Sequence, residues 1–303
     1  MRFRGSCMAM AIGLLAPADV AAEVPDVVAS VKPIHSLVAG VMAGVAEPTL
    51  LVRGAASPHT YALRPSDATA LEDADVVFWI GEPFETFLAK PLQALSDESR
   101  IVELAESEAL ALLPPREGGL WEPHLDGHGD GVDGHMWLDP RNARIMTARI
   151  ASVLAERDPE HAEIYRTNAD ALQARLDVLD AALAARLTPV KNVPFIVFHD
   201  AYQYLEKRYG LAGVGSITVS PEQPPGARRI QEVQEKIASR GARCVFSEPN
   251  FEPALVDMVT AGTPARSGVL DPEGASLAEG AELYFELLRG IGHSLRSCLA
   301  AGS

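Results

Sequence analysis

The sequence predicts an α/β protein of two lobes with mainly parallel sheets, joined by one long α-helix. Three observations carry that expectation. Short apolar runs alternate with helix-forming segments between Asp26 and Leu104, the pattern of a parallel sheet with crossover helices. The same alternation resumes after Thr188. Between the two, from Pro140 to Leu187, strand signals are nearly absent and Ala, Leu, Glu and Arg dominate.

In order along the chain, DVVASV at Asp26–Val31 reads as a strand, and a helix follows from Pro33. PTLLVRG runs into a loop, and RPSDATALEDA opens a helix with Pro65 near its first turn, where a missing N–H costs nothing. DVVFWIG is a continuous apolar run, as expected of a strand buried on both faces. A helix after Pro83 and a strand at RIVEL complete this half. The middle segment breaks strongly only at Asp158-Pro159, and Leu172, Leu176, Leu179 and Leu183 repeat at helical spacing. It is read as a connector helix of nearly thirty residues. The second half has strands at FIVF, GVGSITV, CVFSEP and RSGVL. Its helices are expected from Asp200, through Ile230–Ser239, after Pro253 and from Ala278. The expected division is a signal peptide at 1–22, an N-terminal lobe at 23–157 with a His- and Asp-rich loop at 116–134, a linker helix at 158–188 and a C-terminal lobe at 189–303.

MRFR followed by CMAMAIGLLAPA and the small residues before Glu23 has the grammar of a secretory signal peptide cleaved near Ala22. The apolar run falls well short of the ~20 residues a membrane span needs. Loss of Arg2, Arg4 and Asp19 would move the net charge from −15 to −16. Such an acidic chain, without Lys and Arg clusters, is not expected to bind nucleic acid. Cys244 and Cys298 would remain in an exported chain, where a lone pair reads as one disulfide stabilising the fold by about 4 kcal/mol. Two buried thiols and a zinc site using both are the competing readings.

The segment EPHLDGHGDGVDGHMWLDP, Glu122–Pro140, concentrates His124, His128 and His135 among acids. Asp126, His128, Asp130 and Gly131 mimic part of a calcium loop, but Trp137 stands where the bidentate Glu belongs. The loop is therefore no calcium site. Polar residues that directly follow apolar strands are stronger candidates, because ligands of open α/β sheets gather at the carboxyl ends of strands. His199 follows FIVF, Asp271 follows SGVL, His59 lies in the loop after LLVRG, and His135 precedes the helix start LDP. Each lobe then presents two such residues to a shared cleft. Three imidazoles and a carboxylate suit a tetrahedral Zn²⁺. Singly, each has a plainer reading as a cap or turn residue. His35, His161 and His293 sit in helical stretches without evident partners and are read as structural or surface residues.

No H-E-x-x-H, G-x-S-x-G, Walker loop or G-x-G-x-x-G after a strand is present. A zinc hydrolase needs an open coordination position, and four protein ligands leave none. Carrying the metal is favoured over using it, and no enzyme activity is expected.

SPHTYALRPSD, GHMWLDP, FHDAYQYLEKRYGL, SEPNF and LDPEG occur in that order. Through these motifs nearly the whole exported chain resembles the periplasmic zinc-binding proteins of high-affinity zinc ABC importers, within the metal-specific substrate-binding cluster. The resemblance implies two α/β lobes bridged by one helix, Zn²⁺ held in the cleft as transported cargo, and delivery to a membrane permease. It further implies a monomer in the periplasm, with a periplasmic zinc chaperone as a second partner. By motif position His59, His135 and His199 correspond to the three histidine ligands, and Asp271 to the carboxylate that completes the site, a place water takes in some members. Manganese- and iron-type relatives carry a carboxylate at the position of His199, so the imidazole there points to zinc. A manganese- or iron-binding protein of the same cluster is the alternative, and an adhesin of this fold a weaker one. His124 and His128 correspond to a reduced auxiliary loop. The resemblance also supports a Cys244–Cys298 disulfide. Neutral imidazole ligands imply that affinity weakens as pH falls through the histidine range, about 6–7, and the linker helix implies small lobe adjustments on binding.

Overall fold

The computed structural model describes residues 24–95, 99–116, 121, 131–218, 225–251 and 254–300. The expected signal peptide and its cleavage point lie outside the described residues, as do His124 and His128.

Two four-stranded, all-parallel sheets form the frame. The first contains β1 (Val27–Ala29), β2 (Thr49–Leu50), β3 (Val76–Trp79) and β4 (Arg100–Glu103) in the order β2-β1-β3-β4. The second contains β5 (Pro194–Val197), β6 (Ala212–Ser216), β7 (Cys244–Ser247) and β8 (Arg266–Val269) in the order β6-β5-β7-β8. The two orders are the same, although no sequence repeat betrays it. β1 and β3 are buried at every position, which explains why their sequences are unbroken apolar runs rather than alternating ones.

Helices α1 (Lys32–Met42), α2 (Pro65–Glu72) and α3 (Thr86–Gln93) accompany the first sheet. Helices α6 (Gln203–Tyr209), α7 (Ala227–Arg240) and α8 (Ala254–Thr260) accompany the second. Between them run α4 (Pro140–Arg157) and α5 (Ala162–Leu187), and α9 (Leu283–Ala300) closes the described chain. α5 buries Tyr165, Ala169, Leu172, Leu176, Leu179, Leu183 and Leu187, a stripe at three- and four-residue spacing. α5 packs against α4, α1 and α9. One apolar core therefore runs from Val27 and Phe78 in the first sheet to Phe195 and Phe246 in the second. Cys244 of β7 is disulfide-bonded to Cys298 of α9, tying the last helix to the second sheet.

The long connector is α5, whose 26 residues begin at Ala162 and end at Leu187, within the 158–188 segment. Pro159 disfavours helical backbone at the residue before it, and Asp158 is non-helical, with φ −127° and ψ 79°. Asp158 then holds the corner. Its Oδ2 accepts hydrogen bonds from Tyr165 Oη and His161 Nδ1, both at 2.8 Å. His161, expected to lack a partner, thus has one. So do His35, whose Nε2 meets the Pro48 carbonyl at 3.0 Å, and His293, 3.4 Å from Ser297 Oγ. Only the His35 contact, thirteen residues away in sequence, needs the chain to fold back; the other two are local to a corner and to one helix.

Burial pushes the Asp158 pKa upward, but the bonds from Tyr165 and His161 outweigh it and hold it below the ordinary carboxylate value. The stability this confers is complete above about pH 4 and is lost as pH falls through the folded-state pKa. Asp158→Ala strands the fully buried Tyr165 hydroxyl and is expected to cost about 1–3 kcal/mol. Urea unfolding at pH 7 checks this through a lower midpoint with unchanged slope. An unaltered midpoint would show that the corner does not depend on this carboxylate.

Candidate metal centre

Each histidine of the expected set reaches the seam between the sheets by a different route. His199 follows the end of β5, and Glu248 follows the end of β7. In the order β6-β5-β7-β8 these are the two central strands, where the winding direction reverses and a crevice opens. Strand pairing thereby brings together two residues 49 apart, and His199 Nδ1 lies 2.8 Å from Glu248 Oε1. His135 precedes the 3₁₀ turn Met136–Leu138 that leads into α4. Asp133 Oδ1 accepts both the His135 backbone N–H, at 3.0 Å, and its Nδ1, at 2.8 Å. The turn is fixed by Asp139, which caps α4 by accepting the Arg141 N–H, and by Pro140 in the first helical turn. His59 lies in the loop beyond β2, where its N–H meets Ser57 Oγ at 3.3 Å.

The three rings converge. Their centroids stand 5.3–5.6 Å apart, and one nitrogen from each falls within 4.8 Å of the others. Phe84 walls the group, edge-on to His59 at 5.1 Å and to His135 at 5.2 Å. Gly134 is what lets it come so near, since a Cβ there would stand 2.6 Å from the Phe84 side chain. His135 and His199 are 5 % and 3 % exposed, whereas His59 is half-buried.

The hydrogen bonds decide what these rings can do. An imidazole that donates Nδ1–H to a carboxylate keeps its lone pair on Nε2. Asp133 and Glu248 impose that tautomer on His135 and His199, whose Nε2 atoms face each other at 3.3 Å. Two nitrogens each 2.0–2.1 Å from a tetrahedral zinc stand about 3.3 Å apart. The pair is already spaced as one edge of that tetrahedron, so the donor set fits the metal. Burial pulls the His199 pKa down, but the Glu248 carboxylate, with Glu273 and Asp200 behind it, raises it above the ordinary imidazole value. A proton therefore competes with a cation for the same Nε2, and acid opposes metal binding.

Asp271 behaves differently. It follows β8 by two residues, yet among the described residues the convergent group comprises only the three histidines. Its Oδ1 accepts backbone N–H groups from Glu273, Gly274 and Ala275 at 3.2, 2.7 and 3.0 Å, and its Oδ2 takes that of Ser276 at 3.4 Å.

Neither Asp133 nor Glu248 has a role in the reading of the sequence above. Glu248 directly follows β7, which ends at Ser247, whereas CVFSEP read as one strand holds it inside the element. Asp133 also ties the site to α6: its Oδ2 accepts Gln203 Nε2 at 3.1 Å and its carbonyl accepts Tyr204 Oη at 2.8 Å. Arg116, at the start of the acidic loop, pairs with Asp200 and with Glu206. Both described ends of that loop are thus fastened to the second half.

The chain matches the family profile described as "Zinc-uptake complex component A periplasmic" over residues 27–298. It is 48 % identical to the high-affinity zinc uptake system protein ZnuA of Brucella suis, over 93 % of this chain and 94 % of that protein. Identity to the protein of the same name from Paracoccus denitrificans is 36 %, over 92 % and 93 %. Among solved structures, the periplasmic zinc-binding protein TroA of Treponema pallidum superimposes with a TM-score of 0.78 at 22 % identity, covering 91 % of this chain and 99 % of that one.

Glu248→Gln removes the charge that orients His199 while keeping its shape, and is expected to weaken divalent-metal affinity about 10–100-fold. Competition against a chromophoric chelator at pH 7.5 measures this. Affinity equal to that of the unaltered chain would deny Glu248 its orienting role.

Proposed function

The chain belongs to the periplasmic zinc-uptake component A family, and from that membership and its three converging imidazoles we infer how it serves zinc import. It is a zinc-binding substrate-binding protein of an ABC importer, a transport protein rather than an enzyme. The observation that carries the reading of the site is the pair of Nε2 atoms held 3.3 Å apart by carboxylates on their far sides.

In this reading Zn²⁺ enters past the half-buried His59 and binds the Nε2 atoms of His135 and His199. The carboxylates of Asp133 and Glu248 behind these rings balance the charge of the ion as it leaves water. Asp271 supplies the fourth ligand through Oδ2, which among the described residues accepts one long N–H bond, from Ser276. A filled tetrahedron leaves no coordinated water to activate, in keeping with carriage rather than catalysis. Three imidazoles with one oxygen favour zinc over the harder Mn²⁺. The chain is exported by a signal peptide cleaved near Ala22 and acts as a monomer. It hands its ion to the permease and takes zinc from a periplasmic chaperone as well as from solution. His124 and His128 form an auxiliary capture segment of lower affinity.

Calorimetric titration of metal-free protein tests this. One tight zinc site is expected, with much weaker manganese binding, and His59→Ala and His199→Ala are each expected to abolish the tight phase. Equal affinity for Mn²⁺ would overturn the metal assignment. Tight zinc binding that survives His199→Ala would overturn the ligand set.

A further inference from the structure

Lys32 is the first residue of α1, and its side chain is only 5 % exposed. A cation in a first helical turn lies against the positive end of the helix dipole, and burying an ammonium is costly unless its donors are satisfied. Helix formation does not account for it. Its contacts do. Nζ donates to the carbonyls of Gly274, Ala275 and Leu277 at 3.0, 3.1 and 3.1 Å. All three acceptors lie in the loop that follows Asp271, more than 240 residues away.

The same loop wraps Asp271 from its other side. The peptide unit joining Gly274 to Ala275 points its C=O at Lys32 and its N–H at Asp271 Oδ1. The next unit, Ala275 to Ser276, likewise has its C=O on Lys32 and its N–H on Asp271 Oδ2. Two consecutive peptide dipoles thus stand aligned between an ammonium and a carboxylate, each bond polarising the next. Gly274 permits the bend with φ +75°, where a Cβ would also press Leu283 and Leu287 at 3.2 Å. The loop is further held by Trp137 Nε1, which donates to the Pro272 carbonyl at 2.9 Å, just two residues from His135.

We propose that Lys32 is a positioning residue for zinc capture: by gripping the 274–277 carbonyls it aims the Asp271 carboxylate into the cleft and ties that ligand, supplied by the second sheet, to the first lobe. This rests on the reading of Asp271 as the fourth ligand. It adds that the ligand is set from across the seam, through backbone dipoles, by a residue that never touches the ion.

The test uses the full exported chain with Lys32→Met, Asp271→Ala and the double variant. Zn²⁺ affinity is read by chelator competition, and coordination by the visible absorption of bound Co²⁺. Each single change is expected to weaken zinc about 10–100-fold, with the double variant no weaker than the weaker single. The Co²⁺ bands should shift alike in both singles, a signature that a general loss of stability would not produce. Lys32→Gln, which keeps one donor without the charge, is read by the same criteria if Lys32→Met does not fold. Effects that multiply in the double variant overturn the proposal. So does a Lys32 variant with unaltered affinity and Co²⁺ bands. If zinc still binds through His199 in that case, the zinc reading stands and only the positioning role falls.

Discussion

Two buried imidazole nitrogens, His135 Nε2 and His199 Nε2, face each other 3.3 Å apart, each turned into an acceptor by a carboxylate on the opposite side of its ring. Acceptors set face to face repel unless a proton or a cation lies between them. The arrangement is tolerable because the surrounding structure over-determines it. Glu248 and His199 are fixed by adjacent central strands, and Asp133 is fastened by its own turn and by Gln203 and Tyr204. Preorganisation of this kind replaces the hydration of an incoming ion with dipoles already in place, so little rearrangement opposes capture.

That geometry spans two sheets, so it depends on how firmly they are held. α5 presents one apolar stripe to helices of both halves, and the core is continuous beneath the cleft. The disulfide fixes α9 against the second sheet, while the Tyr284 backbone N–H in α9 donates to Ser36 Oγ in α1 at 3.0 Å. With Lys32 and Trp137 on the Asp271 loop, the halves are joined by packed helices and by directed hydrogen bonds. A wide hinge opening would break all of these at once. Small adjustments of His59 and its loop, at the half-buried edge, would break few.

Much of this was legible in the sequence because the relevant signals are local. β3 is a run of apolar residues, and α5 repeats leucine at helical spacing. His59, His135, His199 and Asp271 stand where strands end or a helix begins, which makes them joint candidates, and the family motifs around them point to the ligands. What could not be read depends on strand order or on chain reversal. The Glu248–His199 pair needs β5 beside β7, and the Asp158 corner needs α5 to fold back on α4. The Lys32 grip on residues 274–277 joins the two ends of the chain. α6 starts at Gln203 rather than at Asp200, because the residues just after His199 are spent on the bend that presents it. The residue type said which groups could bind; neighbours distant in sequence say how they are aimed.

Imidazole nitrogens from both halves are expected to hold the ion themselves, and X-ray absorption at the zinc edge of the stoichiometrically loaded protein reads this. Ligation by His59, His135 and His199 gives a first shell of three imidazole nitrogens at about 2.0–2.1 Å with one oxygen, and the outer-shell scattering of three rings. A sulfur shell near 2.3 Å, or a mainly oxygen shell carrying one ring or none, would contradict it.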